Sequence, residues 1–273
     1  MIDDEYLQTA VDAAEKSATI LSENFDTEFD VEHKSPTDMV SEIDIKCDRV
    51  IKEHIRERHP DHSFFTEESG ADGDGSYRWI VDPLDGTHNY VNSFPYYCVT
   101  IALEIDGEIH AGVINRPEMN EVYTTVRGKG AYCNGEEIAV SDTERLTGGF
   151  LGMGISPPAA TDEEFLELFK RLIGNPVRTE GVRRLGCGAA DLSLVGQGTL
   201  DGVFDKYTSP WDVAAGTLLV EEAGGTVTDL NDEPLDFSAG ERELHIVATN
   251  GEIHDAILDQ YERASNSVAV KRE

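Results

Sequence analysis

Basic residues are scarce in this chain. Its 273 residues include only 22 lysines and arginines against 54 aspartates and glutamates, which gives a formal net charge of −32. Nucleic-acid phosphates and anionic membranes are both bound through surfaces rich in basic residues. The composition therefore argues against nucleic-acid and membrane partners.

The acidic residues are spread along the whole chain rather than collected in one tail. Repulsion among so many like charges opposes a compact state in dilute buffer, and salt screens it to a Debye length of about 3 Å at 1 M. We therefore expect a protein adapted to a salt-rich cytosol, such as that of a halophilic archaeon. An ordinary acidic protein from a mesophile is the alternative.

Cysteines and long apolar runs are also few. The cysteines at positions 47, 98, 133 and 187 show neither a metal-binding spacing nor a disulfide framework, which favours reduced core thiols in the cytoplasm. We find no export signal at the start and no apolar segment of membrane-spanning length. With 39% hydrophobic residues, the chain can nevertheless bury a large core.

Hydrophobic spacing predicts the elements of the first half. Apolar residues at helical intervals indicate a helix over residues 3–24 and a second from Ile43 until His59-Pro60 stops it. A short strand is expected at 63–66, followed by a Gly/Asp loop at 70–76. The strands expected next form an antiparallel meander over 97–105, 108–115 and 121–126.

Helices and strands alternate in the second half. A capping-box pattern at Thr161 and Glu164 predicts the start of one helix. Further helices are expected over 188–195, 211–223 and 254–263, before a frayed tail at 265–273. Strands are expected near 203–204, 226–228 and 244–248. The change of pattern predicts an α+β domain over 1–145 and an α/β domain over 146–273 that share a broad interface.

The most informative motif is the segment 82–91, which directly follows the apolar run 79–81. The run reads as a strand that ends at Asp82, and the next residue is a proline, which forces a turn. Such a turn can gather the carboxylates of Asp82 and Asp85 and the Leu84 carbonyl, and hard divalent cations prefer oxygen ligands of this kind. An ordinary Asp-rich turn is the alternative at this point.

Gly86 and Thr87 add a possible anion-binding part to the motif. Glycine permits close approach of the backbone, and Thr87 brings a hydroxyl beside amides that could open a helix, where an anion is favoured. The motif therefore combines cation ligands with a phosphate cradle.

Three further carboxylates stand at the ends of predicted elements, where side chains can converge. Glu67 follows a strand, Asp44 begins a helix, and Asp212 lies at the start of another helix. In a chain with 54 acidic residues, any one of them is more often on the surface than in a site. Their joint occurrence with the 82–87 motif is what supports a site.

These segments together resemble the two signatures of the inositol monophosphatase family. The segments that carry the resemblance are Glu67-Glu68-Ser69, Asp82-Pro83-Leu84-Asp85-Gly86-Thr87 with Asn89, and Trp211-Asp212-Val213-Ala214-Ala215-Gly216 with Glu222-Ala223-Gly224-Gly225. Residues 38–44 are similar to that family's Asp-Leu-Val-Thr-x-x-Asp segment. The resemblance runs from about residue 5 to 263 and implies the layered αβαβα sandwich of the inositol monophosphatase and fructose-1,6-bisphosphatase type.

The resemblance also implies a cofactor and its ligands. It assigns Glu67, Asp82 and the Leu84 carbonyl to one Mg²⁺. A second Mg²⁺ would be held by Asp82, Asp85 and Asp212, and Glu67 could help to hold a weaker third. In the implied mechanism, one ion activates the attacking water and another stabilises the leaving oxygen.

Catalytic and phosphate-binding roles follow from the same resemblance. Asp44 and Thr87 would orient and deprotonate the attacking water, with Glu67 as a further catalytic residue. The amides of Gly86 and Thr87 would receive the phosphate oxygens.

The residues expected to face the organic part of the substrate are also taken from the resemblance. They are Gly186, Cys187, Gly188 and Asp205. Cys187 and Gly188 replace the usual hydroxyl residue and alanine, and Asp205 is shorter than the glutamate of inositol-preferring relatives. Polyol specificity therefore stays open.

Arg183, Arg184 and Lys206 form the local basic cluster near these segments. They would either bind a second phosphate group or pair with the surrounding carboxylates.

The expected function is Mg²⁺-dependent hydrolysis of small polyol or sugar phosphate monoesters, with inositol-1-phosphate first, by a homodimer. Fructose-1,6-bisphosphatase is the alternative within the family. A non-catalytic regulator with the same fold is the alternative from another class, and the presence of every expected ligand argues against it.

Overall fold

The computed structural model describes residues 2–27, 31–35, 38–156, 158–175, 177–237 and 243–272. The α-helices of these residues are α1 (Ile2–Asn24), α2 (Glu42–Arg58), α3 (Thr87–Val91), α4 (Glu163–Ile173), α5 (Gly188–Gly196), α6 (Pro210–Glu222) and α7 (His254–Arg272). Short 3₁₀ turns cover Pro117–Met119 and Ala159–Thr161.

The strands fall into three sheets. They are β1 (Val31–Ser35), β2 (Asp38–Ser41), β3 (Ser63–Thr66), β4 (Gly70–Asp72), β5 (Tyr77–Asp85), β6 (Cys98–Ile105), β7 (Glu108–Arg116), β8 (Glu121–Val126), β9 (Ala131–Cys133), β10 (Glu136–Glu137), β11 (Phe150–Met153), β12 (Gly181–Arg183), β13 (Gly202–Thr208), β14 (Thr226–Thr228) and β15 (Leu244–Thr249).

The larger sheet has eight strands in the order β10-β9-β8-β7-β6-β5-β3-β4. Strands β5 to β8 pair antiparallel in sequence order, so the predicted meander is confirmed. Strands β3 and β5 pair in parallel, with Thr66 opposite Val81. Glu67, the residue after β3, therefore lies beside the point where β5 reaches Asp82.

The smaller sheet has five strands in the order β12-β11-β13-β15-β14. Strand β11 is parallel to both β12 and β13, whereas β15 is antiparallel to β13 and β14. Strands β1 and β2 form a separate antiparallel pair.

Side chains of the larger sheet alternate between two cores. Trp79 and Val81 pack with α1 and α2 on one face, whereas Ile80 faces α5 and α6 on the other, as period-two geometry requires. The uninterrupted apolar run of β5 thus reflects burial on both faces. On the far side of α5 and α6 lies the smaller sheet, which α4 and α7 cover in turn. The predicted αβαβα sandwich is confirmed.

Three local expectations were wrong. Helix α4 begins after Asp162 rather than Thr161, because the Asp162 carboxylate accepts hydrogen bonds from the Glu164 and Phe165 amides at 3.0 and 2.9 Å. Part of the predicted 70–76 loop is strand β4, which pairs with β3. The tail predicted to fray at 265–273 continues α7 to Arg272, because Ala264 packs in the core shared with the smaller sheet and α4, and Val268 is also buried; Glu273 lies outside the described residues.

Within the described part of the chain, no helix combines the length and the apolar character needed to cross a bilayer. The core between the two sheets contains residues from both sides of position 145, such as Ile80 and Leu218. The division into two domains stays a prediction.

Candidate active site

The 82–87 motif forms a bulge at the end of β5. Asp82 lies opposite Thr100 of β6 and Asp85 lies opposite Cys98, so β5 carries one residue more than its partner over this stretch. The Leu84 amide donates to Asp82 Oδ1 at 2.9 Å, which fixes the first carboxylate against the bulge. Strand and turn together hold Asp82 and Asp85 on a rigid support.

Asp212 joins these two carboxylates from the other side of the site. It is the third residue of α6, where the Ser209 amide and the Thr208 hydroxyl each donate to its Oδ2 at 3.2 Å. One carboxylate oxygen each of Asp82, Asp85 and Asp212 lies within 4.8 Å of the others. The structure therefore brings together residues that are 130 positions apart in the sequence.

Glu67 reaches the same cluster. Its amide donates to the Val81 carbonyl at 3.1 Å, and its side chain hydrogen-bonds the Asp82 carboxyl group. The four predicted carboxylate ligands thus lie together. The predicted Leu84 carbonyl belongs to the same bulge of β5 and accepts the Thr87 hydroxyl at 3.1 Å.

The cluster carries more negative charge than its burial favours. Burial, followed by the charges of Glu67 and Asp85, raises the pKa of Asp82 well above its ordinary value. Burial and then the Asp212 charge raise the pKa of Asp85 to about 7, and burial raises that of Asp212 to about 6. Protons or cations must neutralise these groups, and a set of carboxylate and carbonyl oxygens fits a hard divalent cation such as Mg²⁺.

Asp44 and Thr87 meet as predicted. Ser41 caps α2, and its amide donates to Asp44 Oδ2 at 2.9 Å while its hydroxyl also hydrogen-bonds that oxygen. The Thr87 hydroxyl lies 3.2 Å from Asp44 Oδ1. Its single hydrogen can be donated either to Asp44 or to the Leu84 carbonyl. Burial raises the pKa of Asp44 above its ordinary value in spite of the Ser41 hydrogen bonds.

Asn89 ties α3, which begins at Thr87, to neighbouring backbone, a role that the sequence motif did not reveal. Its Nδ2 donates to the Tyr96 carbonyl at 2.7 Å and to the Leu185 carbonyl at 2.8 Å. The second bond joins α3 to the loop before Gly186, and the first joins it to the segment that follows α3. The start of α3 and the predicted substrate segment at 186–188 are therefore held in fixed relation.

A cleft of about 1040 Å³ opens beside the carboxylates, with Asp212 in its wall. The other predicted site residues that line it are Arg184, Gly186, Cys187, Gly188 and Asp205. His88, which is exposed, stands at the same opening.

Arg183 and Lys206 do not line this cleft. Neighbouring side chains of a strand point to opposite faces, so Asp205 of β13 faces the cleft whereas Lys206 faces away. The Lys206 ammonium lies 2.7 Å from Asp162 Oδ2, and the Arg183 guanidinium stacks 4.7 Å from the centre of the Phe150 ring. Of the predicted basic cluster, only Arg184 lines the cleft.

Asp205 is the most unusual group in the cleft wall. Its Oδ1 is buried and has no hydrogen-bond partner among the described residues. Burial, followed by the charge of Asp212, raises the pKa of Asp205 to about 8. Gly154 makes room for this carboxylate, because a Cβ at position 154 would stand 1.8 Å from Asp205 Oδ2.

Asp191 is a further buried acid of the cleft that we did not predict from the sequence. The Tyr96 hydroxyl donates to its Oδ1 at 2.5 Å, and burial raises its pKa to about 7. An acid inside the otherwise apolar helix α5 was the available signal.

Comparisons with known proteins agree with this geometry. The model of the Inositol monophosphatase family matches residues 3–266. The chain is 40% identical over 229 residues to an inositol-1-monophosphatase of Mesorhizobium japonicum, covering 82% of this chain and 85% of the relative. It is 37% identical over 257 residues to a fructose-1,6-bisphosphatase/inositol-1-monophosphatase of Aquifex aeolicus, covering 93% and 94% of the two chains.

A solved structure shows the same fold. The inositol monophosphatase from Anabaena superposes with a TM-score of 0.84 at 35% identity, covering 96% of this chain and 97% of the other. The predicted enzyme class, a phosphoric monoester hydrolase, is confirmed, and the chain belongs to the inositol monophosphatase family.

Proposed function

We propose that this chain hydrolyses small polyol phosphate monoesters, inositol-1-phosphate first, with Mg²⁺ as cofactor. The observation that carries this proposal is the joint placement of the Asp82, Asp85 and Asp212 carboxylates beside a cleft whose wall contains the unpartnered carboxylate oxygen of Asp205. The three carboxylates suit the cations that would bind the phosphate group. The Asp205 oxygen suits a hydroxyl of the organic part of the substrate.

Two or three Mg²⁺ would be held by Glu67, Asp82, the Leu84 carbonyl, Asp85 and Asp212. The donor set fits, because it contains only oxygen ligands and its own charges repel one another. When bound, Mg²⁺ supplies positive charge that lowers the pKa of water and stabilises the charge that develops on the ester oxygen.

Asp44 and Thr87 would orient and deprotonate the attacking water. Their 3.2 Å contact provides a hydroxyl and a carboxylate that together orient a water molecule and accept its proton. As the new bond from the water oxygen to phosphorus forms, the bond from phosphorus to the ester oxygen breaks. The backbone amides of Gly86 and Thr87 would donate to the other phosphate oxygens, whose charge they help to stabilise.

Asp205 would fix the alcohol part of the substrate. When its carboxylate is ionised, Oδ1 can accept a hydrogen bond from a substrate hydroxyl and so gain the partner that the described residues do not provide. Gly186, Cys187 and Gly188 line the same wall and would set the shape of the space for the ring.

Fructose-1,6-bisphosphate is the second candidate substrate, because Arg184 lines the cleft. One guanidinium nitrogen of Arg184 donates to the Ile155 carbonyl at 3.0 Å, and a guanidinium has five N–H donors in all. A second phosphate could be bound by donors that this bond does not use. Arg183 and Lys206 give this candidate no support, since their charged groups lie elsewhere.

Two further parts of the proposal concern the setting of the enzyme. The net charge of −32 supports a cytoplasm rich in salt, such as that of a halophilic archaeon. A homodimer is the assembly that the family resemblance favours.

The test compares wild-type protein with Asp82→Asn on both substrates, in molar KCl with Mg²⁺. We expect Asp82→Asn to lower kcat at least about a hundredfold, because it removes a carboxylate that would help to hold two metal ions. Asp74→Asn is the matched control, since Asp74 is exposed and loses the same charge. Circular dichroism should show both variants folded.

For wild type, kcat/KM should be at least about tenfold higher with inositol-1-phosphate, a difference of about 1.4 kcal/mol. A tenfold preference for fructose-1,6-bisphosphate would reverse the substrate ranking. Unchanged turnover in Asp82→Asn would overturn the metal-site assignment.

A further inference from the structure

A second cluster of ligand atoms adjoins the carboxylates. Cys98 Sγ and Cys187 Sγ lie 3.6 Å apart. Asp85 Oδ2 lies 3.2 Å from the Cys187 sulfur and 3.9 Å from the Cys98 sulfur. All three residues are buried, and their ligand atoms lie within 4.8 Å of one another. Asp85 thus belongs to two groups at once.

These separations match the edges of a tetrahedral metal site. With metal–sulfur bonds of about 2.3 Å and a metal–oxygen bond of about 2.0 Å, a tetrahedron has a sulfur–sulfur edge of about 3.8 Å and sulfur–oxygen edges of about 3.5 Å. The observed sulfur–sulfur distance is 3.6 Å, and the two sulfur–oxygen distances of 3.2 and 3.9 Å lie on either side of the ideal edge. Little rearrangement would be needed to place a zinc-sized ion between the three atoms.

The three residues come from separate, firmly held elements. Cys98 is the first residue of β6, directly opposite Asp85 in the register. Cys187 is the N-cap of α5, and the Ala189 amide of that helix donates to Asp85 Oδ2 at 2.7 Å. Since Cys187 also lines the cleft, an ion can reach the cluster from the substrate side.

The alternative is a pair of thiols that only hydrogen-bond the Asp85 carboxylate. That arrangement would bind no ion. The ligand chemistry indicates which ions the other arrangement would bind. Two sulfurs and one carboxylate favour soft or borderline cations such as Zn²⁺ and Cd²⁺ over Mg²⁺.

We propose that Cys98, Cys187 and Asp85 form a binding site for thiophilic divalent cations that is distinct from the Mg²⁺ ligands but shares Asp85 with them. On binding, each thiol exchanges its S–H bond for a sulfur–metal bond and releases one proton to solvent. Because Asp85 then serves the sulfur-bound ion, Zn²⁺ or Cd²⁺ competes with Mg²⁺ and lowers turnover. The inhibition rests on the proposed function, whereas the site itself does not.

The site is tested by titrating the full metal-free chain with Cd²⁺ in molar KCl, with a phosphine reductant to keep the thiols reduced. We expect a saturable ultraviolet thiolate-to-Cd²⁺ charge-transfer band at one Cd²⁺ per chain. Cys98→Ala and Cys187→Ser should each reduce the band by at least about half, and the double variant should remove it. Cys133→Ala, which removes a thiol elsewhere, should leave it unchanged.

A band that survives in the double variant, or that fails to appear in folded wild-type protein, would overturn the site. The Cd²⁺ band does not depend on turnover. An inactive enzyme would therefore contradict the proposed function without affecting the evidence for the thiol site.

Inhibition is measured in the same proteins, each relative to its own activity without Zn²⁺. The Zn²⁺ concentration that halves turnover should be at least about tenfold higher in Cys98→Ala than in wild type or Cys133→Ala, and should rise with Mg²⁺ concentration. Equal sensitivity of all three proteins would place the inhibitory Zn²⁺ at the carboxylates and would contradict competition through the thiol site.

Discussion

At the scale of single residues, the site holds acids in surroundings that oppose their ionisation. Asp85 and Asp191 are buried, Asp205 is half-buried with its Oδ1 covered, and burial is the largest cause of the raised pKa of each. Asp191 differs from the others because it receives a hydroxyl hydrogen bond from Tyr96 and belongs to no ligand cluster. It is therefore the acid whose titration can be measured separately from metal binding.

Asp191→Asn should make the stability of the protein less dependent on pH. The pKa of Asp191 is about 7 in the fold against 3.8 ordinarily, so its carboxyl group favours folding below pH 3.8 and loses this contribution as the pH rises through 7. Asparagine cannot ionise, and its carbonyl can still accept the Tyr96 hydrogen bond. Between pH 5 and 7.5, wild type should lose about 2.5 kcal/mol of unfolding free energy more than the variant.

The measurement is denaturant unfolding at several pH values and constant high salt. Asp74→Asn, at an exposed position, should follow the wild-type curve. Parallel curves for wild type and Asp191→Asn would show that Asp191 does not change its proton binding on folding.

The sequence predicted the positions of single residues well where these depend on neighbours in the chain. Asp82, Leu84 and Asp85 are close because one tight bulge contains them all. The direction of Lys206 could have been predicted from strand alternation with Asp205. The contact of Asp191 with Tyr96 could not, because it joins residues 95 positions apart across two elements.

At the scale of elements, patterns of period and capping predicted most helices and strands, and tertiary contacts decided the rest. Helix α7 is longer than predicted because Ala264 packs in the core with other elements and Val268 is also buried. The parallel pairing of β3 with β5, which brings Glu67 to Asp82, left no local signal. Strand pairing depends on contacts between distant parts of the chain, so the order of strands in the sheet cannot be predicted from a single sequence.

Gly86 links the end of β5 to α3, and its replacement tests how tightly the two are joined. Its φ of +93° is a conformation that favours glycine, and an added Cβ would lie 3.1 Å from the Tyr96 carbonyl and 3.3 Å from Cys187 Cβ. Gly86→Ala should therefore destabilise the protein by about 2–3 kcal/mol, through backbone strain and crowding together.

Gly107→Ala is the matched control, because Gly107 has nearly the same φ of +92° but nothing within 4 Å of an added Cβ. It should cost only about 1 kcal/mol, from strain alone. Guanidinium unfolding of both variants measures the difference, and equal losses would show that the close approach at Gly86 is not tight.

At the scale of the whole molecule, the excess of acid is a property of the surface more than of the site. The chain carries 54 acidic residues, whereas the ligand cluster uses four of their side chains, those of Glu67, Asp82, Asp85 and Asp212. Repulsion among the exposed acids acts over about 8 Å at 0.15 M salt and about 3 Å at 1 M. The fold should therefore depend on salt even where the core is well packed.

We expect the thermal unfolding midpoint to fall steeply as KCl is lowered from 1 M towards dilute buffer, since unfolding relieves the repulsion of a net charge of −32. A variant with lysine at four exposed acidic positions, Asp61, Asp74, Glu136 and Glu252, has a net charge of −24, because each replacement changes the charge by two. It should remain folded at a lower KCl concentration than wild type. A control that exchanges Asp and Glu at the same four positions keeps the charge and should follow wild type.

Calorimetry across a KCl series measures all three proteins. Full stability of wild type in dilute buffer would favour the acidic mesophile, and equal salt requirements for all three would show that salt stabilises the fold by a route other than screening of these charges.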